Sequence, residues 1–365
     1  MTRPPPLDAI PPHVVALRDY EPLARERLDD NAWTYLASGA GDELTLRWNR
    51  QAFDDTRLMP RTMRSFVGGS LESELLGKRL AHPVVLGPVA YQKLFHPEGE
   101  CATARAAAAL HTPFVVATLS SVELEAVSNT APDASRWFQL YVQPERDLTL
   151  DLVRRAESAG YSALVVTVDA PLNGLRNAEQ RIGFRLPENV FAANLPPRPA
   201  RAPSGGHPIF DDLLAGAPVW RDLEWLRAAT RLPLIVKGIL NPDDARQAQA
   251  CGADALVVSN HGGRTLDTLE ASLHALPAVR QAVGAQFPLL LDGGIWRGTD
   301  VLKALALGAN AVMLGRAYAM ALAAAGPLGV AHAIRILVEE FTVAMALTGC
   351  ATIADITPAL VSRGK

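Results

Sequence analysis

The chain has 365 residues, of which 49% are hydrophobic and 20% are charged, and its formal net charge is −3 at pH 7. This composition is that of a folded globular protein with a sizeable core, organised as one large domain or two ordinary ones. The small negative charge gives no electrostatic basis for binding nucleic acid or an anionic membrane surface.

The three cysteines and eight histidines are scattered along the chain. Cys101, Cys251 and Cys350 show no CxxC spacing and suit a reducing cytoplasm better than a disulfide framework. The histidines show neither HxxxH nor HExxH spacing, so we expect no metal site. Residues 1–20 lack the apolar stretch of a signal peptide and predict a flexible N-terminal arm before a single domain at residues 21–365.

In chain order, residues 21–38 predict a helix that ends at Gly39. Eight short runs of apolar and β-branched residues follow, and each predicts a buried strand. They lie at residues 83–90, 113–120, 136–142, 163–170, 233–239, 255–262, 288–295 and 311–318. Stretches of helical composition separate most of them, for example at residues 99–110, 148–159 and 241–250.

Strands that are apolar on both faces and alternate with helices indicate parallel pairing. Eight such units in about 240 residues have the size of a closed (β/α)8 TIM barrel. An α/β doubly wound open sheet is the alternative, but it usually has fewer strands, and no GxGxxG follows the first run. We therefore predict the barrel.

Two further segments are placed by their composition. Residues 186–218, between the fourth and fifth predicted strands, are rich in Pro, Ala and Gly and too long for an ordinary connection, so we expect a lid or a partly disordered excursion. Residues 331–347 predict an amphipathic helix that packs on the outside of the barrel.

Polar side chains gather where the predicted strands end, which is where barrels of this kind build their sites. They are Tyr91, Gln92, Ser120, Ser121, Gln139, Tyr141, Thr167, Asp169, Lys237, Ser259, His261, Asp292 and Arg316. Buried lysine, aspartate and histidine are costly without partners, so the whole set predicts a site. In the stretch ALVVSNHGGRTLD, His261 supplies a base and Arg264 a guanidinium, which places proton-transfer chemistry beside an anion clamp.

The last two predicted strands end in glycines. Asp292, Gly293 and Gly294 precede a helix predicted at residues 299–307, and Gly315 and Arg316 follow the eighth strand. Free backbone N–H groups, a helix N-terminus and a guanidinium together favour an anion. Barrels bind phosphate groups after strands seven and eight, so these residues predict a phosphate cradle.

Several blocks in one order resemble the FMN-dependent 2-hydroxy-acid oxidases and dehydrogenases, a family that includes glycolate oxidase, lactate oxidase and mandelate dehydrogenase. The blocks are PVAYQKLFHPEGE, WFQLYV, TVDAPLNGLR, LIVKGI, SNHGGRTLD and LLDGGIWRGTDVLKALALGANAVMLGR. The local pattern around Tyr91 and SSVELEAV is most similar to the hydroxymandelate oxidase branch, which favours a roomier, aromatic substrate pocket.

The resemblance implies FMN as cofactor and oxidation of an (S)-2-hydroxy acid to the 2-keto acid, with O2 reduced to H2O2. His261 matches the base that takes the substrate's hydroxyl proton, and Asp169 matches the carboxylate that steadies its imidazolium. Four residues match those that hold the substrate carboxylate: Tyr35, Tyr141, Arg176 and Arg264. The resemblance also implies a homotetramer, or else an octamer, and the composition predicts no membrane or nucleic-acid partner.

Cofactor-binding positions carry over in the same way. Lys237 matches the lysine near flavin N1, where a fixed cation favours the anionic reduced ring. Other flavin-contacting positions are Pro88, Val89, Ala90, Ser120, Gln139, Thr167 and Ser259. The cradle at Asp292, Gly293, Gly294, Gly315 and Arg316 would hold the ribityl phosphate.

One departure from the family pattern affects the cradle. Trp296 stands where the family usually has arginine, so one phosphate contact is missing, and we expect the neighbouring Arg297 to point elsewhere. Two other functions remain open from the sequence. The first is a dehydrogenase of the same fold that uses a quinone or protein acceptor, and the second is a non-catalytic barrel that binds a phosphate ligand.

Overall fold

In the computed structural model, which describes residues 3–197 and 205–363, eight parallel strands close into a barrel. The strands in chain order are β1 Thr56–Leu58, β2 Ser73–Leu75, β3 Lys78–Leu80, β4 Val84–Leu86, β5 Phe114–Ala117, β6 Arg136–Leu140, β7 Leu164–Thr167, β8 Leu234–Ile239, β9 Ala255–Val258, β10 Leu289–Asp292, β11 Ala311–Leu314 and β12 Val361–Arg363. The barrel runs from β4 to β11, and β11 pairs with β4 to close it. Each of these eight strands lies inside its predicted range, which confirms the (β/α)8 prediction over the open sheet.

The barrel strands bury both faces because alternate side chains point to opposite sides of a strand. Inward-facing residues such as Val115, Ile235 and Met313 form one apolar cluster. The β2–β3 hairpin adds Leu75 and Leu80 to that cluster and so closes one end of the interior. Outward-facing residues pack in a second cluster against the helices.

Helices surround the barrel. They are α1 Tyr20–Arg27, α2 Asp30–Ala37, α3 Leu44–Asp55, α4 Glu100–Ala109, α5 Leu124–Thr130, α6 Arg146–Ser158, α7 Asn177–Arg181, α8 Trp220–Ala229, α9 Pro242–Ala250, α10 Ser272–Val283, α11 Gly298–Ala306 and α12 Arg316–Thr348. The helices predicted at residues 99–110, 148–159, 241–250 and 299–307 are confirmed as α4, α6, α9 and α11. The Asn241 side chain caps α9, with Pro242 in its first turn.

The single helix predicted over residues 21–38 is wrong in one respect, because the structure divides it into α1 and α2. Leu28 and Asp29 have extended backbones, and the Asp29 carboxylate accepts a hydrogen bond from the Ala32 N–H. A capping aspartate satisfies an N–H that the first turn leaves free, so it favours a new helix start at that point.

The N-terminal arm is packed more closely than the sequence suggests. Val14, Leu17 and Tyr20 are buried, and the Tyr20 hydroxyl lies 2.7 Å from Nδ1 of His332 on α12. The Leu7 N–H also donates to the Ala324 carbonyl at 2.8 Å. Apolar side chains three residues apart give this irregular segment one face that packs on α12.

The final helix confirms the prediction at residues 331–347 but starts earlier, at Arg316, and is kinked at Ala325 and Gly326. It packs against α1, α4 and α11. Among the described residues it is the one helix long and apolar enough to cross a membrane, and 67% of its apolar window is buried within the protein. A buried core helix meets the same criterion.

The long connection predicted at residues 186–218 falls partly on residues 198–204, which lie outside the described residues. On one side, residues 187–197 contain neither helix nor strand, and on the other, Pro208–Leu213 forms a short π-helical turn. A lid in this segment stays a prediction.

Candidate active site

A cavity of about 700 Å³ lies where the barrel strands end. Its lining includes most of the predicted site residues: Tyr35, Pro88, Val89, Ala90, Gln139, Tyr141, Thr167, Arg176, Lys237, His261, Arg264, Asp292, Gly293, Gly294, Gly315 and Arg316. The structure therefore brings together residues that are separated by up to about two hundred and eighty positions of sequence, as the barrel predicts.

His261 follows β9 in the left-handed region, with φ of 57°, and its backbone N–H donates to Ser259 Oγ at 3.0 Å. Nδ1 of its ring lies 2.8 Å from Oδ1 of Asp169, whose side chain is only 9% exposed. Burial alone would raise the pKa of Asp169, but His261 and Lys237 lower it below its usual value. The ionised carboxylate assigns the ring proton to Nδ1, which leaves the Nε2 lone pair available as a base.

Lys237 provides a fixed cation in the cavity wall. Its Nζ lies 3.0 Å from Oδ2 of Asp292 and donates to Ser259 Oγ at 3.1 Å. Burial would lower the pKa of Lys237, but the carboxylates of Asp292 and Asp169 outweigh it and raise that pKa. The ammonium group is therefore charged throughout the neutral range.

Arg176 and Arg264 form a cation pair in the lining of the same cavity. Arg264 donates to the carbonyls of Tyr35 at 2.7 Å and Ser38 at 2.9 Å, and its guanidinium lies 4.9 Å from the Tyr35 ring centroid. Arg176 Nε donates to the Arg264 carbonyl at 3.3 Å. Burial and the neighbouring Arg176 lower the pKa of Arg264, as expected of two cations held together.

The segments that carry these arginines touch at Gly174. A Cβ on Gly174 would lie 1.8 Å from the carbonyl oxygen of Thr265, a distance that no side chain can occupy. The absence of a side chain at Gly174 therefore lets the loop after β7 and the loop after β9 approach closely enough to pair their arginines.

The glycines after β10 and β11 form the predicted cradle. Gly293 and Gly294 have φ of 91° and 88°, and a Cβ on Gly294 would lie 2.5 Å from the Asn49 carbonyl oxygen. A Cβ on Gly315 would instead meet no atom within 4 Å, so the backbone there borders open space. The N–H groups at the start of α11 already donate to Asp300 and Glu340, which corrects the prediction that this helix N-terminus takes part in the cradle. The backbone of Gly293, Gly294 and Gly315 is the part that lines the cavity and suits an anion.

Arg316 adds the cation to this cradle. It donates to the carbonyls of Gly262 at 2.8 Å and Ser38 at 2.9 Å, and its buried Nε has no partner. Burial and Arg264 lower the pKa of Arg316 to about 9, so it is charged at neutral pH. The carboxylates of Glu43 and Asp292 oppose this lowering only in part, and a bound phosphate would supply a direct anionic partner for the free Nε.

Gln139 supports the same fit further into the cavity. Its Oε1 accepts from the Thr118 N–H at 3.1 Å, whereas its buried Nε2 has no partner. A cofactor with ring acceptors and a phosphate would satisfy both this amide and Arg316 Nε. FMN has this combination, so the residues present fit the cofactor that the sequence predicts.

Two predicted serines do not line the cavity. Ser120 is fully buried and its hydroxyl donates to the Val122 carbonyl at 2.7 Å, so it lies outside the cavity lining, and its contact with the cofactor stays a prediction. The short turn after β5 directs its side chain back to its own backbone. Ser259 is also fully buried, and its Oγ accepts hydrogen bonds from Lys237 Nζ and the His261 N–H. It therefore helps to fix the positions of these two residues from outside the cavity.

Trp296 lines the cavity, and the Arg18 guanidinium lies 4.7 Å from its ring centroid. Arg297 points away, as expected, and pairs with Glu340 at 2.6 Å. The sequence analysis missed Arg50, which lines the cavity and donates to the Gly294 carbonyl at 2.9 Å. Its charge is already paired with Asp300.

Other lining residues were also missed. Glu179 contacts both Arg176 and Arg264, which together form a clamp for a carboxylate. Its place on α7, three residues after Arg176 in the sequence, was the signal that the sequence offered. Phe184, also missed, stacks on Tyr35 at a centroid distance of 5.2 Å. Tyr91, which the sequence did single out, meets the same ring edge-on at 6.2 Å. These rings form an aromatic wall beside the arginines.

The fold and site define a barrel enzyme whose cradle suits a phosphorylated cofactor and whose histidine shares a cavity with a carboxylate-binding cation pair. The chain matches the family model described as FMN-dependent dehydrogenase over residues 24–363. It therefore belongs to the FMN-dependent dehydrogenase family, which makes it an oxidoreductase with FMN as its cofactor.

Individual relatives agree with this membership. The chain is 50% identical over 356 residues to L-lactate oxidase of Alicycliphilus denitrificans, covering 96% of this chain and 97% of that protein. It is 41% identical over 349 residues to glycolate oxidase 1 of Zea mays, covering 94% of each. A solved structure of mandelate oxidase with (S)-2-phenylpropionate has a TM-score of 0.86 at 43% identity, covering 95% of this chain and 98% of that one.

Proposed function

We propose that this protein is an FMN-dependent 2-hydroxy-acid oxidase that converts an (S)-2-hydroxy acid to the 2-keto acid and reduces O2 to H2O2. The observation that carries the proposal is that His261, whose ring is held by Asp169, lines the same cavity as the Arg176–Arg264 clamp. Relatives at 50%, 46% and 45% identity are L-lactate oxidases, which supports an oxidase over a dehydrogenase.

FMN, when bound, accepts two electrons from the substrate's Cα and passes them to oxygen. The cradle at Gly293, Gly294, Gly315 and Arg316 would hold its phosphate, and Gln139 would donate to its ring. Lys237 places a permanent positive charge in the cavity wall, where it favours negative charge that develops on a neighbouring ring.

His261 removes the substrate's hydroxyl proton with Nε2. Asp169 holds the other ring nitrogen at 2.8 Å, which fixes the orientation of the ring and stabilises the imidazolium that forms. A positioned base of this kind is worth about 10²–10⁴-fold in rate. Because Asp169 is nearly buried, its charge acts on the imidazole with little screening by solvent.

Arg176 and Arg264 hold the substrate carboxylate, which places the hydroxyl at His261. Guanidinium groups bind a carboxylate through paired N–H donors and so fix its orientation as well as its position. Tyr35 and Tyr141 add hydroxyl donors, and burial together with Asp169 raises the pKa of Tyr141, which keeps its proton in place. The clamp thereby excludes alcohols that lack a carboxylate.

The aromatic wall of Tyr35, Tyr91 and Phe184 supports a medium-sized or aromatic substituent on the substrate's Cα, as in mandelate. Burial raises the pKa of Tyr91 to about 12, so its ring is neutral beside such a group. Lactate is the second candidate, because L-lactate oxidases are among the relatives of this chain. We expect mandelate-like acids to react faster than glycolate.

The test is turnover in air-saturated buffer with (S)- and (R)-mandelate, (S)-lactate and glycolate. We expect one 2-keto acid and one H2O2 per O2 consumed, with the (S) acids as substrates. Stoichiometric CO2 without H2O2 would mean monooxygenase chemistry. Flavin that is reduced by substrate, reoxidises slowly in air and reoxidises quickly with a quinone would mean a dehydrogenase.

We further propose a cytoplasmic homotetramer. Met63, Phe66 and Val67 expose apolar side chains within one segment, which supports burial between subunits. The three cysteines are free, which supports a reducing compartment. Light scattering after gel filtration, together with fractionation of native cells, tests both statements.

A further inference from the structure

The carboxylate of Glu179 lies between the two arginines of the clamp. Its Oε1 is 3.0 Å from Arg176 Nη1 and 3.4 Å from Arg264 Nη2, and its Oε2 is 3.3 Å from Arg176 Nη1. The side chains of Arg176, Arg264 and Glu179 are only 15%, 14% and 13% exposed. All three line the cavity, so one internal carboxylate occupies the groups suited to the substrate's carboxylate.

We propose that Glu179 is a tethered counter-ion that occupies the clamp and gives up Arg264 when the carboxylate of a 2-hydroxy acid binds. This inference rests on the proposed function and extends it by naming what the substrate must displace. Glu179 is a positioning residue, because it acts on the substrate through the two arginines.

The geometry indicates which contact is released. Glu179 lies three residues after Arg176 on α7 and contacts it through both carboxylate oxygens. Arg176 is the residue immediately before α7, so this pair is local to the start of that helix. The contact with Arg264 joins α7 to the loop after β9 and is the longest of the three distances. Arg264 also keeps the carbonyls of Tyr35 and Ser38 as acceptors, so it stays in place when Glu179 leaves.

The charges explain why such a residue is present. Two guanidinium groups packed against the Tyr35 ring repel each other, and burial with Arg176 already lowers the pKa of Arg264. Glu179 offsets this repulsion, so the clamp is held together before substrate arrives. The same negative charge opposes an incoming carboxylate, which weakens the binding of every carboxylate ligand.

The test compares wild-type holoenzyme with Glu179→Gln. Glutamine keeps an acceptor oxygen for Arg176 but removes the charge that competes with a ligand. We expect Kd for pyruvate, benzoylformate and acetate, measured from the perturbation of the oxidised flavin spectrum, to fall about tenfold, which corresponds to about 1.4 kcal/mol. The limiting rate of flavin reduction at saturating substrate should change much less than Kd.

Glu125→Gln is the matched control, because Glu125 forms an ion pair with Arg155 away from the cavity, at 2.7 Å. It should leave all three Kd values unchanged. Unchanged or weaker carboxylate binding by Glu179→Gln overturns the proposal. If Glu179→Gln does not fold with bound flavin, Glu179→Asp takes its place. Its shorter side chain keeps the charge but does not reach Arg264, so carboxylate Kd should again fall, and an unchanged or higher Kd overturns the proposal.

Failure of this proposal is distinguishable from failure of the proposed function. Acetate binding to the oxidised holoenzyme reports on the clamp without any turnover. A wild-type enzyme whose flavin is not reduced by any 2-hydroxy acid would contradict the function, whatever the result with acetate.

Discussion

Nδ1 of His261 and Oδ1 of Asp169 lie 2.8 Å apart, although 92 residues of sequence separate them. The contact joins the loop after β7 to the loop after β9. It determines which ring nitrogen faces the cavity and is therefore the first relationship to test by mutation.

For this pair, we predict that His261→Ala slows flavin reduction by about 10²–10⁴-fold, the usual value of a positioned base. Binding of 2-keto acids should persist, because the arginines are untouched. Stopped-flow absorbance measures the first quantity and equilibrium titration the second. Asp169→Asn should slow reduction less, since the base remains but loses its charged partner. Near-normal reduction by His261→Ala would remove this residue from the mechanism.

A second prediction concerns the cradle. Arg316→Glu should purify with little or no FMN, because a carboxylate would face a phosphate dianion in place of a charge-assisted hydrogen bond. The ratio of flavin to protein absorbance measures occupancy directly. Arg246→Glu, an inversion at an exposed arginine on α9, is the control and should retain its flavin. Full occupancy in Arg316→Glu would place the phosphate elsewhere.

Trp296 provides a third prediction. Trp296→Arg should bind FMN as tightly as the wild type or more tightly, since the new guanidinium would lie beside the cradle and replace a side chain without charge. Removal of the indole also frees Arg18, whose guanidinium lies 4.7 Å from its ring centroid. Fluorescence titration of the apoprotein with FMN measures Kd. Markedly weaker binding would show that the ring itself contributes to the site.

A fourth prediction tests the close approach at Gly174. Gly174→Ala should lower the melting temperature and raise Kd for 2-keto acids, because its Cβ would lie 1.8 Å from the Thr265 carbonyl and separate the two arginine loops. Such overpacking typically costs about 1–3 kcal/mol. Gly77→Ala is the control, because its Cβ meets no atom within 4 Å while its φ of 70° strains the backbone, so it lowers stability without separating the arginine loops. Equal ligand affinity in both variants would contradict the role of the approach.

Much of the fold could be predicted because the eight barrel strands carry an unambiguous signal. A run such as Leu289–Asp292 is buried on both faces, so its apolar residues are consecutive and its polar residue marks the end. The sequence marks the C-terminal ends of these strands less clearly than the strands themselves. Polar residues that follow a strand, such as Ser259, look like strand in the sequence because they continue an apolar segment, but they turn away from the ladder.

The site was predicted where a residue's type and strand position alone carry the chemistry, as for His261 and Lys237. It was missed where the partner comes from elsewhere in the fold. Arg50 reaches the cradle from α3, and nothing near it in sequence indicates a phosphate. The sequence likewise does not show that the Ser120 hydroxyl bonds to the backbone two residues along the chain, because that bond depends on the turn and not on composition.

Arg18 in the N-terminal arm stacks on Trp296, so the arm packs against the wall of the cavity beside the phosphate cradle. The Leu7 N–H donates to the Ala324 carbonyl beside the kink of α12. The same helix begins at Arg316, the cation of the cradle. Trimming of the arm by a protease would therefore loosen the wall of the cradle before it disturbed the barrel. Protein that loses the arm during storage or proteolysis should lose its FMN, and with it its yellow colour, while it is still folded. The colour would then report whether the first twenty residues are intact.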